Sequence, residues 1–237
     1  MFKKEELNEW LVKVSSKLEK PIKIYMIGGG ALSFKGLKET TKDADIIVAS
    51  QKDFDVLDTA IQDSGFTLKT DLKDEFYLTA LAVYMKDDDS RIDIFLKQVG
   101  KMLRLTRGII KRAKLYQSYG KLDVSLVSNE DIFLFKSMSS RSGDIEDCDR
   151  LIQEELDYGI IYDEIIEQSK IGRKWFFWIY ESLCRLEEHN GIRLPIKDRV
   201  FSLVKEHWKD HPSDFMGDVN NIDEHIPDKR LLKELKQ

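Results

Sequence analysis

"IGGGALSFKGLKETTKDADIIV", residues 27–48, decides the reading of this chain. Gly28, Gly29 and Gly30 close one apolar run, and Asp43 and Asp45 flank a single alanine at the head of the next. The preceding "IKIYMI" (22–27) alternates and is rich in β-branched residues, which predicts a strand. "ADIIVAS" predicts a second strand, apolar enough to be buried on both faces. Between them the glycines predict a turn, followed by a short helix around "ALSFKGLK". Only residues without a Cβ let phosphate oxygens approach backbone N–H groups closely, so Gly28 and Gly29 are candidates for holding an anion. Side chains alternate along a strand, so Asp43 and Asp45 share one face. Two such carboxylates repel unless a cation or a proton lies between them, and hard oxygen ligands suit Mg²⁺ beside phosphate.

A third carboxylate, Asp93 in "RIDIF", stands mid-strand between two isoleucines, where burial is expensive without a partner. If its strand neighbours that of Asp43 and Asp45, three acids converge on one point. That is the arrangement of a two-metal site, which activates an attacking hydroxyl and supports in-line displacement at phosphate. Other phosphate motifs are excluded. Ser33 occupies the third glycine position of the dinucleotide fingerprint, and no GK[ST] forms a P-loop.

The rest of the chain supports a globular reading. Its 237 residues suffice for one large domain or two modest ones, and a hydrophobic content of 42% is ordinary for a packed core. The formal charge of −5 excludes wholesale coating of nucleic acid while leaving room for a local basic patch. Cys148 and Cys184 form no CxxC pair, which suits a reducing cytoplasm. No apolar run approaches the roughly 18 residues of a membrane helix, and the opening "MFKKEELNEW" turns acidic at once. A cytoplasmic protein with no membrane partner is expected.

Helical spacing of Leu7, Trp10, Leu11, Val14 and Leu18 predicts a first helix ended by Pro21. A second runs through Phe54, Leu57 and Ile61 and is closed by Gly65. "EFYLTALAVYM" (75–85) and "SRIDIFLKQV" (90–99) predict strands joined by a polar "KDDD" hairpin, and "LDVSLV" a last short strand. "SNEDIFLFKSMSS" opens a helix with Ser128 as N-cap and Asp131 three residues on. Beyond it residues 144–158, 160–189 and 196–210 keep helical periodicity, broken by Gly172, Gly191 and Pro195. "HPSDFMGDVNNIDEHIPD" reads as a loop before a terminal helix, "KRLLKELKQ". The fold class is therefore α+β: a mixed front over residues 1–127 and an all-helical domain over 128–237.

Gly28-Gly29, thirteen intervening residues, then Asp43-Ala44-Asp45-Ile46 resembles the signature of the nucleotidyltransferase (polymerase-β-like) superfamily. Ala31, Leu32, Gly36 and Thr41 agree with it, and Asp93 falls where that superfamily has its third carboxylate. "SNEDIFLFKSMSSRSGDIEDCDRL" resembles a segment of small prokaryotic members, including uncharacterised ones and abortive-infection-type toxins, in which a lysine-bearing helix precedes an arginine and acidic residues. The resemblance covers roughly residues 20–155. It implies a nucleotidyltransferase fold, a mixed β-sheet flanked by helices, followed by helices. It also implies Mg²⁺-dependent transfer of a nucleoside monophosphate from an NTP such as ATP to an acceptor hydroxyl, releasing pyrophosphate. Asp43, Asp45 and Asp93 would then be catalytic and bind two metals, Asp93 helping to deprotonate the acceptor. Gly28 and Gly29 would hold the triphosphate, and Lys136 and Arg141 would serve as cations on the β/γ-phosphates or the acceptor. Many members have Gly-Ser where this chain has Gly-Gly, a pair that related members also use.

Three readings stay open: a transferase, a nucleotide-binding sensor without catalysis, and a toxin–antitoxin component acting on tRNA or a protein. The acceptor is a small molecule, RNA or protein. Residues 97–121 hold Lys97, Lys101, Arg104, Arg107, Lys111, Arg112, Lys114 and Lys121, with no acid between Asp93 and Asp123. That run is either a solvated face or a track for RNA or a triphosphate. His207 and His211 have a zinc-like spacing but no evident third ligand. Trp175, Phe176, Trp178 and Tyr180 exceed a single helical stripe; core packing takes most, and any surplus suits an acceptor pocket or a dimer face.

Overall fold

A computed structural model describes residues 1–70, 80–86, 90–99, 103–139, 141–170 and 175–210. They divide into two compact units, Met1–Ser128 and the residues from Asn129 onward. In the first, β1 (Phe2–Lys3) leads into α1 (Lys4–Lys17), whose Leu7, Trp10, Leu11 and Val14 are buried at the predicted spacing. Next come β2 (Ile22–Ile27), α2 (Gly28–Phe34), β3 (Thr40–Thr41), which pairs with β1, and β4 (Asp43–Val48). Then follow α3 (Gln51–Asp63), β5 (Thr67–Leu68), β6 (Ala82–Met85) and β7 (Arg91–Leu96). A small hairpin of β8 (Gln98–Val99) and β9 (Leu103–Arg104), α4 (Arg107–Arg112), β10 (Lys114–Ser118) and β11 (Leu122–Leu126) complete the unit.

Seven strands form one mixed sheet in the order β10-β11-β2-β4-β7-β6-β5. The β11–β2 and β4–β7 pairs are parallel and the others antiparallel. β2, β4 and β7 are interior, which explains their apolar content: Ile24, Met26, Ile46, Ile47, Val48, Ile92 and Ile94 are all buried. The helix α3 is capped by Ser50, whose hydroxyl accepts from the Asp53 backbone N–H at 3.1 Å, and Gly65 follows its end with a φ of +97°. Tyr84 of β6 ties α3 to the sheet by donating its hydroxyl to Asp58 at 2.7 Å, and burial pushes that hydroxyl's pKa up. Tyr84→Phe is expected to lower stability by about 1 kcal/mol, read from urea melts.

The strand expected over 90–99 ends at Leu96, Gln98–Val99 pairing instead with Leu103–Arg104, and two further elements differ from the sequence reading. The helix α2 begins at Gly28 itself rather than after a glycine turn. Close packing outweighs the poor helix propensity of glycine here: a Cβ on Gly30 would meet Met26 Sδ at 3.1 Å and Ala44 Cα at 3.7 Å. Within the basic segment, Lys114–Ser118 is an edge strand, bulged between Leu115 and Gln117 and mostly exposed.

The second unit comprises α5 (Asn129–Ser137), α6 (Ser142–Ile152), α7 (Tyr158–Ser169), α8 (Trp175–Asn190) and α9 (Lys197–Asp210), with no strand among its described residues. The periodicity over 160–189 thus belongs to two helices. Ile161, Ile165, Phe177, Ile179, Leu183, Val200 and Val204 are buried, and Tyr180 stacks on Phe201 with ring centroids 4.9 Å apart. Cys148 is a buried core residue whose thiol burial pushes up, out of reactive range. Residues 87–89 of the "KDDD" turn, residues 75–79 of the expected 75–85 strand, His211 and the C-terminal loop and helix lie outside the described residues. No described helix is long and apolar enough to cross a membrane.

Candidate active site at the head of the central strands

Register alone brings the candidate residues of the first unit together. β2 runs antiparallel to β4 with Ile27 opposite Asp45, and β4 runs parallel to β7 with Asp45 opposite Asp93. Gly28 follows Ile27 directly, so the glycines and the acids meet at one end of β2, β4 and β7. Residues in register share a face, as do residues two apart, so Asp43, Asp45, Asp93 and Arg91 all project from the same side. Asp93 is buried at 1% exposure, whereas Asp43 and Asp45 are half-buried.

The glycines are required by what faces them. A Cβ on Gly28 would lie 2.2 Å from Asp45 Oδ2, and Gly28 has a φ of +59°. A Cβ on Gly29 would lie 2.2 Å from Thr41 Oγ1, and Thr41 in turn donates to the Asp43 carbonyl at 2.9 Å. The Lys38 ammonium lies 3.9 Å from that same point. Lys38 is a basic group at the glycines that the sequence reading missed, because only the return of the chain after α2 carries it there.

Arg91 is the second residue missed. It heads β7 in register with Asp43, its guanidinium bonds the Asp43 carboxylate, and its Nε lies 2.9 Å from Asp93 Oδ1. As the side chains stand, no three His, Cys, Asp or Glu groups among the described residues are arranged to hold a metal ion. The donor set nevertheless fits magnesium: three carboxylates from adjacent strands on one face, all hard oxygen ligands, with one guanidinium among them.

Lys136 and Arg141 lie in the second unit. Lys136 is buried between α5 and α6, 2.6 Å from Asp144 Oδ1 and 2.8 Å from Asp147 Oδ2. Burial alone would lower its pKa, but the two carboxylates more than offset this and hold it above the ordinary lysine range. Asp144 is held below the usual carboxylate range despite its burial, chiefly by Lys136. Arg141 is largely exposed and reaches Asp144 Oδ2 at 2.8 Å, and Arg150 reaches Asp147 at 2.7 Å. The ammonium of Lys136 is thus engaged within its own unit.

A mixed sheet that delivers a glycine pair and three strand-borne carboxylates to one end is the nucleotidyltransferase fold. Over residues 4–176 the chain matches the family described as "Nucleotidyltransferase of unknown function (DUF6036)", and it belongs to that family. No curated protein matches it. Among solved structures it is similar to the Helicobacter pylori protein JHP933, at 14% identity over 88% of this chain and 94% of that one, with a TM-score of 0.40. A second H. pylori protein, provisionally described as a nucleotidyltransferase, matches at 16% identity over 98% and 89% of the two chains, with a TM-score of 0.35.

Proposed function

We propose that the protein transfers a nucleoside monophosphate from an NTP to a hydroxyl acceptor. The observation that carries this reading is the register of Asp45 with Asp93, with Asp43 on the same face and Gly28 and Gly29 at the same end. Asp43, Asp45 and Asp93 would hold Mg²⁺, which when bound would neutralise phosphate charge and make the acceptor hydroxyl more acidic. Gly28 and Gly29, whose Cβ positions are taken by Asp45 and Thr41, would bind the triphosphate through their backbone N–H groups, and Lys38 supplies positive charge beside them. The acceptor oxygen bonds to the α-phosphorus as the bond from that phosphorus to the bridging oxygen breaks. Pyrophosphate leaves, and Asp93 takes the acceptor's proton.

The favoured acceptor is RNA. Lys114 pairs with Leu126, Leu126 with Met26 and Met26 with Ile46, so Lys114 stands at the site's end of the sheet. Three strand spacings put it roughly 15 Å from Ile46. Arg107, Lys111 and Lys114 are exposed, as a backbone track requires.

The test is incubation with each α-phosphorus-labelled NTP, Mg²⁺ and total RNA, followed by separate resolution of RNA, protein and small molecules. Label is expected in RNA and absent with an Asp43→Asn, Asp45→Asn double variant. Label in another fraction would replace RNA as acceptor. Retained NTP binding without transfer to any acceptor class would favour the sensor reading.

A further inference from the structure

Asp43 and Asp93 are bridged by one cation, Arg91. Its guanidinium bonds Asp43 while its Nε lies 2.9 Å from Asp93 Oδ1, and its side chain is 17% exposed. These contacts follow from backbone placement. Arg91 is opposite Asp43 across the β4–β7 pair and two residues before Asp93, so all three side chains rise from one face. A planar guanidinium is suited to this task, because its fork presents different N–H groups to the two carboxylates in one fixed plane. The bridge also accounts for the absence of a ready metal cluster among the described residues, since two of the three acids are turned to the guanidinium.

We propose that Arg91 is the resident cation of the site. It holds Asp43 and Asp93 in place while no metal is bound, and it releases both when a divalent ion enters. The inference rests on the reading of these acids as metal ligands. Without Arg91 the approaching carboxylates would repel one another in a half-buried setting; with it the face is kept assembled. The same contact makes the guanidinium a competitor, because the ion must take the oxygens that Arg91 already holds. Arg91 is therefore a positioning residue, and its removal has opposite effects on stability and on metal affinity. A purely structural ion pair would affect stability alone.

The experiment uses the full chain without NTP. Mn²⁺ binding is measured by electron paramagnetic resonance, and melting is followed with and without saturating Mn²⁺, for wild type, Arg91→Met and Arg91→Lys. Arg91→Met is expected to bind Mn²⁺ more tightly by on the order of tenfold, the size of an ordinary coupling between two competing cations. It is also expected to melt below wild type without metal and to recover most of that deficit with it. Arg91→Lys, which keeps the charge but loses the planar fork, should fall between, and it carries the comparison if Arg91→Met does not fold. Equal Mn²⁺ affinity, with a melting deficit that the ion does not reduce, would overturn this inference alone. No Mn²⁺ binding by any of the three proteins would remove both the inference and the metal-site reading beneath it.

Discussion

Lys136→Met is expected to destabilise the protein by about 3–5 kcal/mol, because it leaves two buried carboxylates without their central cation. Asp147 is fully buried and Asp144 nearly so, and Lys136 contacts both. Arg141 and Arg150 still reach the outer oxygens, which puts the effect toward the lower end. The pH dependence separates this mechanism from simple loss of packing. In the folded wild type the pKa of Asp144 is depressed, so its contribution is present above the unfolded value and lost as pH falls through the folded one. The pKa of Lys136 is raised, so its contribution is present below the ordinary lysine value and lost as pH rises through the folded one. Both contributions are intact across the neutral range. In the variant the acid-side slope is expected to reverse, because a buried Asp144 that has lost Lys136 takes up a proton more readily than it does in the unfolded chain. Denaturant melts should show the variant gaining stability from about pH 8 to about pH 5, where wild type does not. An unchanged slope would mean that the carboxylates are compensated by the arginines alone.

Gly28→Ala is expected to reduce nucleotidyl transfer by on the order of a hundredfold, since displacing a ligand by about an ångström has that effect. The new methyl group would stand 2.2 Å from Asp45 Oδ2, on a residue whose φ of +59° an alanine adopts only under strain. Asp45 has to move, and with it the middle member of the acid set. Mn²⁺ affinity should fall in parallel with transfer while circular dichroism keeps the native α+β signal. Gly29→Ala is a graded companion. It crowds the Thr41 hydroxyl, which donates to the backbone carbonyl of Asp43, but carries no positive-φ strain. Its transfer rate should lie between those of Gly28→Ala and wild type. Equal rates for wild type and Gly28→Ala would detach the glycines from the reaction.

The strands and helices around the motif were legible because their apolar residues recur at the spacing of the element: Leu7, Trp10, Leu11 and Val14 on α1, and the unbroken apolar run of β4. The convergence of Asp43, Asp45 and Asp93 was legible only as a condition on which strands are neighbours, and the β4–β7 pairing meets it. β10 was not, since an exposed edge strand shows no alternation to read; its Leu115 is 59% exposed. The start of α2 was missed because glycine propensity argues against a helix, and only tertiary packing overrides it. Arg91 gave no signal, because a charged residue at the head of a strand reads as solvated until its neighbour is known. The resemblance offers Lys136 as a cation on the phosphates or the acceptor; that Asp144 and Asp147, among the acids following it, are its partners is not legible until α5 and α6 pack together.

The parallel pairing of β4 with β7 also ties the site to the order in which the chain folds. Asp45 and Asp93 are 48 positions apart in sequence, and their strands adjoin only after everything between them has looped back. Parallel pairing of such distant segments is slow, because chain entropy is lost before the contacts form. A chain in which β4 and β7 have not yet paired is therefore expected to lack the assembled acid set, and, on the proposed function, affinity for a divalent ion is expected to arise with that pairing. Recovery of ion binding during refolding would serve as a clock for completion of the central strands, lagging behind the local helices.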